Sequence, residues 1–320
     1  MNKPIIITTG DLDSVFFEIF FKSIKKEKIY NPIILICSFK MFKSEAKRYN
    51  FNKRYELFDL KKIISVKLEN KKINIINIDI GKFNIKKINS KIKNTYLKKS
   101  FDIAFQLIKK GISNKFINGP INKKSFLNKK FPGITEYISH AFKIKNVGML
   151  IYNKKLSVCP VTTHLPIKMV AKKINKELIK KKINLVIEFF TKILKKEPNI
   201  AVTGLNPHCE SILNFNEDIQ ILSPIIRNFS RKGVKIKGPF SADTLFTKNN
   251  RTKFNIIIGM YHDQVLTPLK TLYEFDAVNI TMGLPFLRVS PDHGPNILMI
   301  NKNKSNPTSL IQAIKFLDKK

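Results

Sequence analysis

The chain has 320 residues, of which 43% are hydrophobic and 26% are charged, and this composition excludes a disordered or fibrous protein. The 59 Lys and Arg residues outnumber the 23 Asp and Glu residues, and the resulting net charge of +36 would attract polyanions or phosphorylated metabolites. The lysines are spread over the whole chain, and no zinc-finger, helix-turn-helix or ribonucleoprotein motif is present, so a specific nucleic-acid partner is not expected.

Short β-branched runs alternate along the chain with longer amphipathic segments, which is typical of βαβ units around a mainly parallel sheet. In chain order, the runs predict strands over residues 4–8, 33–37, 73–77, 115–118, 157–161, 199–203, 255–260 and 277–281. Apolar residues at helical spacing predict helices over residues 13–25, 95–110, 167–174, 176–194 and 218–232. A chain of 320 residues exceeds the usual size of one hydrophobic core, so two lobes are expected.

Cysteine usage and the first residues indicate a reducing compartment. The three cysteines are odd in number and widely separated, which argues against a disulfide framework. Asp11 and Asp13 interrupt the first apolar stretch, which is therefore not typical of a signal peptide, and no run approaches the ~20 apolar residues that cross a bilayer. We therefore expect a cytoplasmic protein without a membrane partner.

Gly, Pro and polar residues concentrate directly after the predicted strands. The loops read ITTGD at residues 7–11, INGPINK at 117–123, VTTHLP at 161–166, TGLNPH at 203–208, GMYHDQ at 259–264 and NITMGLP at 279–285. Because ligands of open α/β sheets bind beyond the carboxyl ends of the strands, functional side chains are expected in these loops.

Three of the five histidines, His164, His208 and His262, fall a few residues after a predicted strand. If those strands are parallel neighbours, the three imidazoles converge at one edge of the sheet. Three neutral histidines leave a fourth position open on a metal ion, as in catalytic zinc sites, and other divalent first-row metals also accept imidazole. One histidine alone would as readily be a capping or core residue, but the three together predict a metal site.

Asp243 lies in the polar break of GPFSADTLF, where it could cap the helix that follows. Near a metal it could instead orient a ligand or move a proton, and the sequence leaves both interpretations open. Arg288 is a candidate anion clamp, since a guanidinium can bind phosphate through two parallel hydrogen bonds. Lys270 is less informative in a chain so rich in lysine.

Three common motifs of α/β enzymes are missing from the sequence. No GxGxxG follows a predicted strand, and neither a GxxxxGK[ST] phosphate loop nor a GxSxG nucleophile elbow is present. Their absence argues against an ordinary Rossmann dehydrogenase, a P-loop kinase and a serine hydrolase.

The chain carries these loops, with the longer strings PGITEYISH, GMYHDQVLTPLK and VNITMGLPFLRVSPDHG, in the order found in the 4-hydroxythreonine-4-phosphate dehydrogenase family, which it resembles over nearly its whole length. The resemblance implies a two-lobed α/β/α sandwich similar to isocitrate and isopropylmalate dehydrogenases. Residues 1–320 would form one catalytic unit, with the active site in the cleft between the lobes. It further implies NAD or NADP as cofactor, a divalent metal (zinc, magnesium or cobalt), and a homodimer with its active site at the subunit interface.

The reaction implied by the resemblance belongs to pyridoxal 5'-phosphate biosynthesis. It oxidises 4-phosphohydroxy-L-threonine to 2-amino-3-oxo-4-phosphooxybutanoate, which loses CO2 to give 3-amino-2-oxopropyl phosphate. The histidines of VTTHLP, GLNPH and MYHDQ would be the metal ligands, and Asp243 and Lys270 would serve catalysis. Substrate contacts map onto Ile134, Thr135, Lys270, Asn279 and Arg288.

The chain departs from the family in several loops. The first loop, Gly- and Pro-rich in the family, reads GDLDSVFFEI here, so bulky side chains are expected to alter the approach of the backbone to a ligand. Ile134 replaces a histidine that contacts substrate in the family, which removes one donor. The glycines that follow GLNPH in the family are replaced by residues such as Cys209 and Ile212, whereas the metal set is whole.

Two other functions stay open. A related metal-dependent dehydrogenase of another phosphorylated hydroxy acid is favoured by Ile134. A basic nucleic-acid-binding protein on a decayed enzyme scaffold is favoured by the net charge of +36, but it would not explain the retention of three histidines with Asp243, Lys270, Asn279 and Arg288.

Overall fold

The computed structural model describes residues 3–81, 89–127, 130–291 and 294–320. The chain divides into two compact units, the first formed by Met1–Ile134 with Pro285–Lys320 and the second by Thr135–Leu284. Asp292 and His293 of the SPDHG string lie outside the described residues.

Strands and helices alternate along most of the chain. The strands are β1 (Ile5–Thr8), β2 (Ile33–Cys37), β3 (Tyr55–Phe58), β4 (Ile73–Asn77), β5 (Lys115–Asn118), β6 (Gly148–Tyr152), β7 (Ser157–Pro160), β8 (Ile200–Thr203), β9 (Ile236–Phe240), β10 (Ile256–Gly259), β11 (Val278–Met282) and β12 (Leu287–Pro291). The helices are α1 (Phe16–Lys26), α2 (Phe39–Arg48), α3 (Ser90–Lys109), α4 (Lys123–Leu127), α5 (Ile134–Ala141), α6 (Ile167–Lys173), α7 (Lys176–Glu188), α8 (Ser223–Arg231), α9 (Ala242–Leu245), α10 (Lys248–Arg251), α11 (His262–Tyr273) and α12 (Thr308–Asp318).

The first unit contains a parallel sheet in the order β3-β4-β2-β1-β5-β12. Every residue of β1, β2 and β5 is buried, and because successive side chains point to opposite faces, both faces of these strands are covered. Helix α3 packs on β1 and β2, and α12 packs on β12, β1 and β5. Buried phenylalanines of α1, among them Phe16, Phe20 and Phe21, add a stacked aromatic cluster to this core.

The second unit contains strands in the order β11-β6-β7-β10-β8-β9. Strands β7, β10, β8 and β9 are parallel, whereas β6 runs antiparallel to both β11 and β7. Helix α11 packs on β7 and β10, and α8 packs on β9. The carboxyl ends of the parallel strands β7, β10 and β8 therefore lie side by side.

The predicted α/β class with a mainly parallel sheet is confirmed, and all eight predicted strands are present, with each bound shifted by at most one residue. Strands β3, β6, β9 and β12 were not predicted. Strand β3 is exposed on the edge of its sheet, and β9 and β12 contain Gly238-Pro239 and Pro291, residues typical of turns. Strand β6 (GMLIY) lacks polar alternation because it is almost entirely buried.

Two predicted helices are interrupted by π-helical turns. The helix expected over residues 176–194 is α-helical only to Glu188 and then π-helical over Phe189–Leu194. The helix expected over residues 218–232 begins with a π-helical turn, Asp218–Leu222. Hydrophobic periodicity does not distinguish these forms over so few residues, and π-helical turns are frequent at functional sites.

Candidate metal and substrate site

Three parallel strands of the second unit carry the loops with the predicted metal ligands. Strands β7, β10 and β8 are hydrogen-bonded neighbours in that order, and His164, His262 and His208 follow their carboxyl ends within a few residues. The condition on which the sequence prediction depended, that these strands are parallel neighbours, is therefore met.

The imidazole rings of His164 and His262 lie next to each other, with centroids 5.8 Å apart. Nδ1 of His262 lies 2.6 Å from a carboxylate oxygen of Asp263. Because an ionised carboxylate only accepts hydrogen bonds, this contact favours the proton on Nδ1 and leaves the lone pair of Nε2 available to a ligand. Carboxylates orient the imidazoles of metal centres in this way.

Backbone and side-chain hydrogen bonds hold the His164 and His262 loops together. The hydroxyl of Thr162 donates to the carbonyl oxygen of Met260 at 2.8 Å, and the N–H of Val161 donates to that of Gly259 at 2.7 Å. The two loops therefore continue the pairing of β7 with β10 beyond the strand ends.

His208 lies in a loop whose backbone is held in an uncommon conformation. His208 (φ 54°) and Cys209 (φ 60°) are consecutive left-handed residues, a conformation that costs ~1–2 kcal/mol per residue for L-amino acids. The fully buried carboxylate of Asp218 accepts hydrogen bonds from the backbone N–H groups of Leu205 (2.6 Å) and Asn206 (3.1 Å), directly before this turn. Such over-determined left-handed residues cluster at functional sites.

The imidazole nitrogens of the three histidines are of a type that binds divalent metal ions. Imidazole nitrogen accepts several first-row metals, and His164 and His262 already form an adjacent pair. His208 Nδ1 lies 3.5 Å from the hydroxyl oxygen of Ser241. Among the described residues, however, no group of three His, Cys, Asp or Glu side chains is close enough together to hold a metal ion.

Asp243 lies in the first turn of α9, two residues after Ser241, which is the N-cap. Of the two roles that the sequence leaves open for Asp243, the N-cap position belongs instead to Ser241, because the helix begins at Ala242. The carboxylate accepts hydrogen bonds from the Ser241 hydroxyl (2.5 Å) and from the N–H of Thr244 (2.7 Å). These two hydrogen bonds, the larger effect coming from Ser241, lower the pKa of Asp243 below its usual range.

The other predicted substrate residues of the second unit lie on three elements. Thr135 is in the first turn of α5, and its hydroxyl oxygen lies 3.5 Å from that of Thr281 on β11. Asn279, also on β11, has a buried side-chain oxygen without a hydrogen-bond partner in the described part of the chain. Lys270 is exposed near the end of α11.

Ile134 and Arg288 belong to the first unit. Ile134 begins α5 with only 5% of its surface exposed, so it contributes apolar packing and no polar contact. Arg288 on β12 is 3% exposed, and its Nε–H donates to the side-chain oxygen of Asn118, at the end of β5, at 2.9 Å. Asn118 was not among the predicted site residues, although the NGPINK loop contains it, because nothing in the sequence indicates that it lies beside Arg288.

The first loop of the first unit packs tightly against the NGPINK loop. Gly10 has φ 77°, and a Cβ placed on it would lie 2.2 Å from the carbonyl oxygen of Pro120, so only glycine fits there. Asp11 is buried and accepts a hydrogen bond from the N–H of Asn122, yet burial raises the pKa of Asp11 to about 6. Phe16 and Phe17, two of the bulky residues that distinguish this loop from that of the family, are buried in α1.

A cavity of about 420 Å³ lies beyond the carboxyl ends of β1 and β4 in the first unit. Its apolar wall includes Phe17, Met41 and Ile300, and its charged lining consists of Lys40 and Arg48 together with the carboxylates of Asp13, Glu18 and Glu45. A crevice in this position is where open parallel sheets bind ligands.

The family model of the pyridoxal phosphate biosynthetic protein PdxA matches residues 28–317. A 4-hydroxythreonine-4-phosphate dehydrogenase of Sulfurihydrogenibium sp. is 36% identical over 96% of this chain and 95% of its own length. A D-threonate 4-phosphate dehydrogenase of Pectobacterium atrosepticum is 32% identical over 67% of this chain and 68% of its own length.

Solved structures agree with this fold. The crystal structure of a 4-hydroxythreonine-4-phosphate dehydrogenase from Klebsiella pneumoniae superposes with a TM-score of 0.81 at 26% identity over 98% of both chains. A β-decarboxylating dehydrogenase from Thermococcus kodakarensis, 10% identical over 98% of this chain and 81% of its own, gives a TM-score of 0.51, a likeness of fold alone. Among the residues described, no helix combines the length and apolar character needed to span a bilayer.

Proposed function

This chain belongs to the pyridoxal phosphate biosynthetic protein PdxA family, and we propose that it oxidises 4-phosphohydroxy-L-threonine with NAD or NADP as the hydride acceptor. The product, 2-amino-3-oxo-4-phosphooxybutanoate, then loses CO2 to give 3-amino-2-oxopropyl phosphate for pyridoxal 5'-phosphate biosynthesis. The observation that carries the proposal is the family match over residues 28–317, which includes all three histidines, Asp243, Lys270, Asn279 and Arg288.

We propose that His164, His208 and His262 hold one divalent ion, either zinc, magnesium or cobalt. The adjacent rings of His164 and His262 and the carboxylate on Nδ1 of His262 support the assignment. The ion would act as a Lewis acid that stabilises negative charge on substrate oxygens during oxidation and decarboxylation.

Positive side chains would bind the phosphate and carboxylate of the substrate. Arg288 presents its guanidinium with Nε held by Asn118, which restricts the orientation of the whole planar group. Lys270 adds a flexible ammonium group from α11, and Thr135 and Asn279 offer a hydroxyl and an amide. Anchoring the two charged ends of the substrate fixes the secondary alcohol between them, which lowers the entropic cost of reaction.

Asp243 would contribute by orienting His208. Its lowered pKa keeps it a carboxylate near neutral pH, which makes it a poor proton donor. Ser241 donates to Asp243 and lies 3.5 Å from Nδ1 of His208, so the three groups form a chain that can set the direction of the imidazole.

The cavity of the first unit is our candidate for the adenosine half of the nicotinamide cofactor. Phe17 and Met41 offer apolar contact to a base, and Lys40 offers charge to a phosphate, whereas Arg48 is paired with Glu45 at 3.0 Å. Replacing Lys40 by Ala should raise KM for the cofactor and leave KM for the phosphorylated substrate unchanged, and comparison of NAD with NADP would show which one the cavity prefers.

We also propose a homodimer whose active site lies at the subunit interface. Exposed apolar side chains follow His208 at Ile212, Leu213 and Phe215, and contiguous exposed apolar residues mark contact surfaces in soluble proteins. Sedimentation of the wild type and of Leu213→Asp tests this: a dimer that the variant weakens supports it, and a monomeric wild type contradicts it.

A second candidate substrate is D-threonate 4-phosphate. It is favoured by Ile134, which replaces a substrate-contacting histidine of the family, and by the relative of that name. The two substrates differ at one carbon, which carries an amino group in the first and a hydroxyl in the second.

The deciding experiment is an NAD(P)H-formation assay with each substrate, each cofactor, and with or without chelator. We expect a higher kcat/KM for 4-phosphohydroxy-L-threonine and loss of turnover on chelation. A higher kcat/KM for D-threonate 4-phosphate would assign the second function, and turnover of neither substrate by metal-loaded protein would contradict both.

A further inference from the structure

We propose that Gln264 is a positioning residue for the histidine site: its side-chain amide joins the end of β8 to the end of β10 and thereby sets the spacing of the loops that carry His208 and His262. The inference rests on the metal site proposed above. Gln264 ends the GMYHDQ string and lies in the first turn of α11, two residues after His262, and none of the roles assigned so far uses it.

The amide of Gln264 makes three short hydrogen bonds to two different strand ends. Its oxygen accepts from the backbone N–H of Met260 and from the hydroxyl of Thr203, each at 2.7 Å. Its nitrogen donates to the carbonyl oxygen of Gly204, also at 2.7 Å. Because a backbone N–H only donates and a carbonyl only accepts, these partners fix the orientation of the amide.

These contacts lie directly before both histidines. Met260 precedes His262 by two residues, and Gly204 is separated from His208 by Leu205, Asn206 and Pro207. The backbone N–H groups of Leu205 and Asn206 are already held by Asp218. The segment from Gly204 to His208 is therefore anchored on one side by Asp218 and on the other by Gln264.

The local packing leaves little room for an alternative linkage. A Cβ on Gly259 would lie 2.3 Å from Cγ1 of Val265 and 3.1 Å from the Gln264 side-chain oxygen. A Cβ on Gly204 would lie 2.6 Å from Sγ of Cys209 and 3.0 Å from a carboxylate oxygen of Asp218. Both strand ends thus approach their polar partner at a glycine, where the backbone can come closest.

Two substitutions separate the hydrogen bonds from the volume of the side chain. Gln264→Met keeps the length of the side chain but removes all three hydrogen bonds, whereas Thr203→Val removes only the hydrogen bond from the Thr203 hydroxyl and keeps the one to the Gly204 carbonyl. Gln106→Met makes the same chemical change on the exposed face of α3 and serves as the matched control. Outer contacts that orient metal ligands typically change metal affinity about 10–100-fold when removed.

The test is Zn2+ affinity, measured by competition with a chromophoric chelator on protein shown by circular dichroism to be folded, with the visible spectrum of the Co2+ form as a second readout. We expect Gln264→Met to bind Zn2+ about 10–100-fold more weakly and to alter the Co2+ spectrum. Thr203→Val should weaken binding less, and Gln106→Met should match the wild type.

The outcomes distinguish this inference from the metal site itself. Equal Zn2+ affinity of wild type and Gln264→Met would overturn the role of Gln264 and leave the metal site standing. A wild type that binds no Zn2+ or Co2+ would overturn both. If Gln264→Met does not fold, Thr203→Val decides, and an affinity equal to that of the wild type refutes the proposal.

Discussion

Asp11 gives this chain a pH dependence of stability that a single substitution should remove. The carboxyl group lies in the loop after β1, is 6% exposed, and has its pKa raised from 3.8 to about 6. Burial is the main cause, and the neighbouring carboxylate of Asp13 adds to it against the opposing effects of the Asn122 N–H and Lys93. The folded state therefore holds this proton more tightly than the unfolded state does.

The sign and size of the effect follow from linkage. Stability from this group is fully present below its ordinary pKa of 3.8 and is lost as the pH rises to about 6. A difference of about 2 pKa units, at ~1.4 kcal/mol per unit, amounts to ~3 kcal/mol. The substitution Asp11→Asn keeps a side-chain oxygen that can accept from the Asn122 N–H, but the amide carries no charge at any pH.

The assay is urea denaturation followed by circular dichroism at several pH values between about 4 and 7, for the wild type and Asp11→Asn. The free energy of unfolding of the variant, minus that of the wild type, should rise by up to ~3 kcal/mol across this range. Asp102→Asn, on the exposed face of α3, controls for the loss of one negative charge. A difference between Asp11→Asn and wild type that does not change with pH would refute the reasoning.

Three further predictions concern the site. By elemental analysis, purified wild type should contain about one divalent metal ion per subunit. His208→Ala should contain less metal, because it loses one of three ligands, and equal metal contents would show that His208 is not a ligand. Ile134→His should lower KM for the phosphorylated substrate in steady-state kinetics, because the imidazole can donate a hydrogen bond to a charged group, which contributes up to ~1.5–3 kcal/mol of binding free energy. An unchanged or higher KM would mean that the buried position has repacked. His262→Ala should abolish NAD(P)H formation, while wild type should bind nucleic acid only weakly near 0.15 M salt, where the Debye length is ~8 Å. Tight binding of nucleic acid at that salt by a wild type without dehydrogenase activity would reverse this interpretation.

Local sequence pattern was sufficient for the three strands that precede the histidines, but it did not predict β12, α5, α9 or α11, which carry most of the other site residues. The β-branched runs that become β7, β8 and β10 are short, apolar and followed by Gly, Pro and polar residues, and both features are visible without any knowledge of neighbours. The same pattern places the three histidine loops at strand ends. The pattern was less informative for β6 and β12, because these strands are almost entirely buried and their residues do not mark one buried and one exposed face.

The sequence by itself therefore determined the α/β class, most strand bounds and the positions of His164, His208 and His262 just beyond a strand. The tertiary structure alone decided that β7, β10 and β8 are neighbours, that Asn118 holds Arg288 across 170 residues, and that Gln264 reaches Gly204 across 60 residues. The physical reason is the range of the interactions. Periodicity and turn chemistry act between residues close in the chain, whereas strand order and hydrogen bonds between distant loops depend on which surfaces are buried together, and no local pattern records that choice.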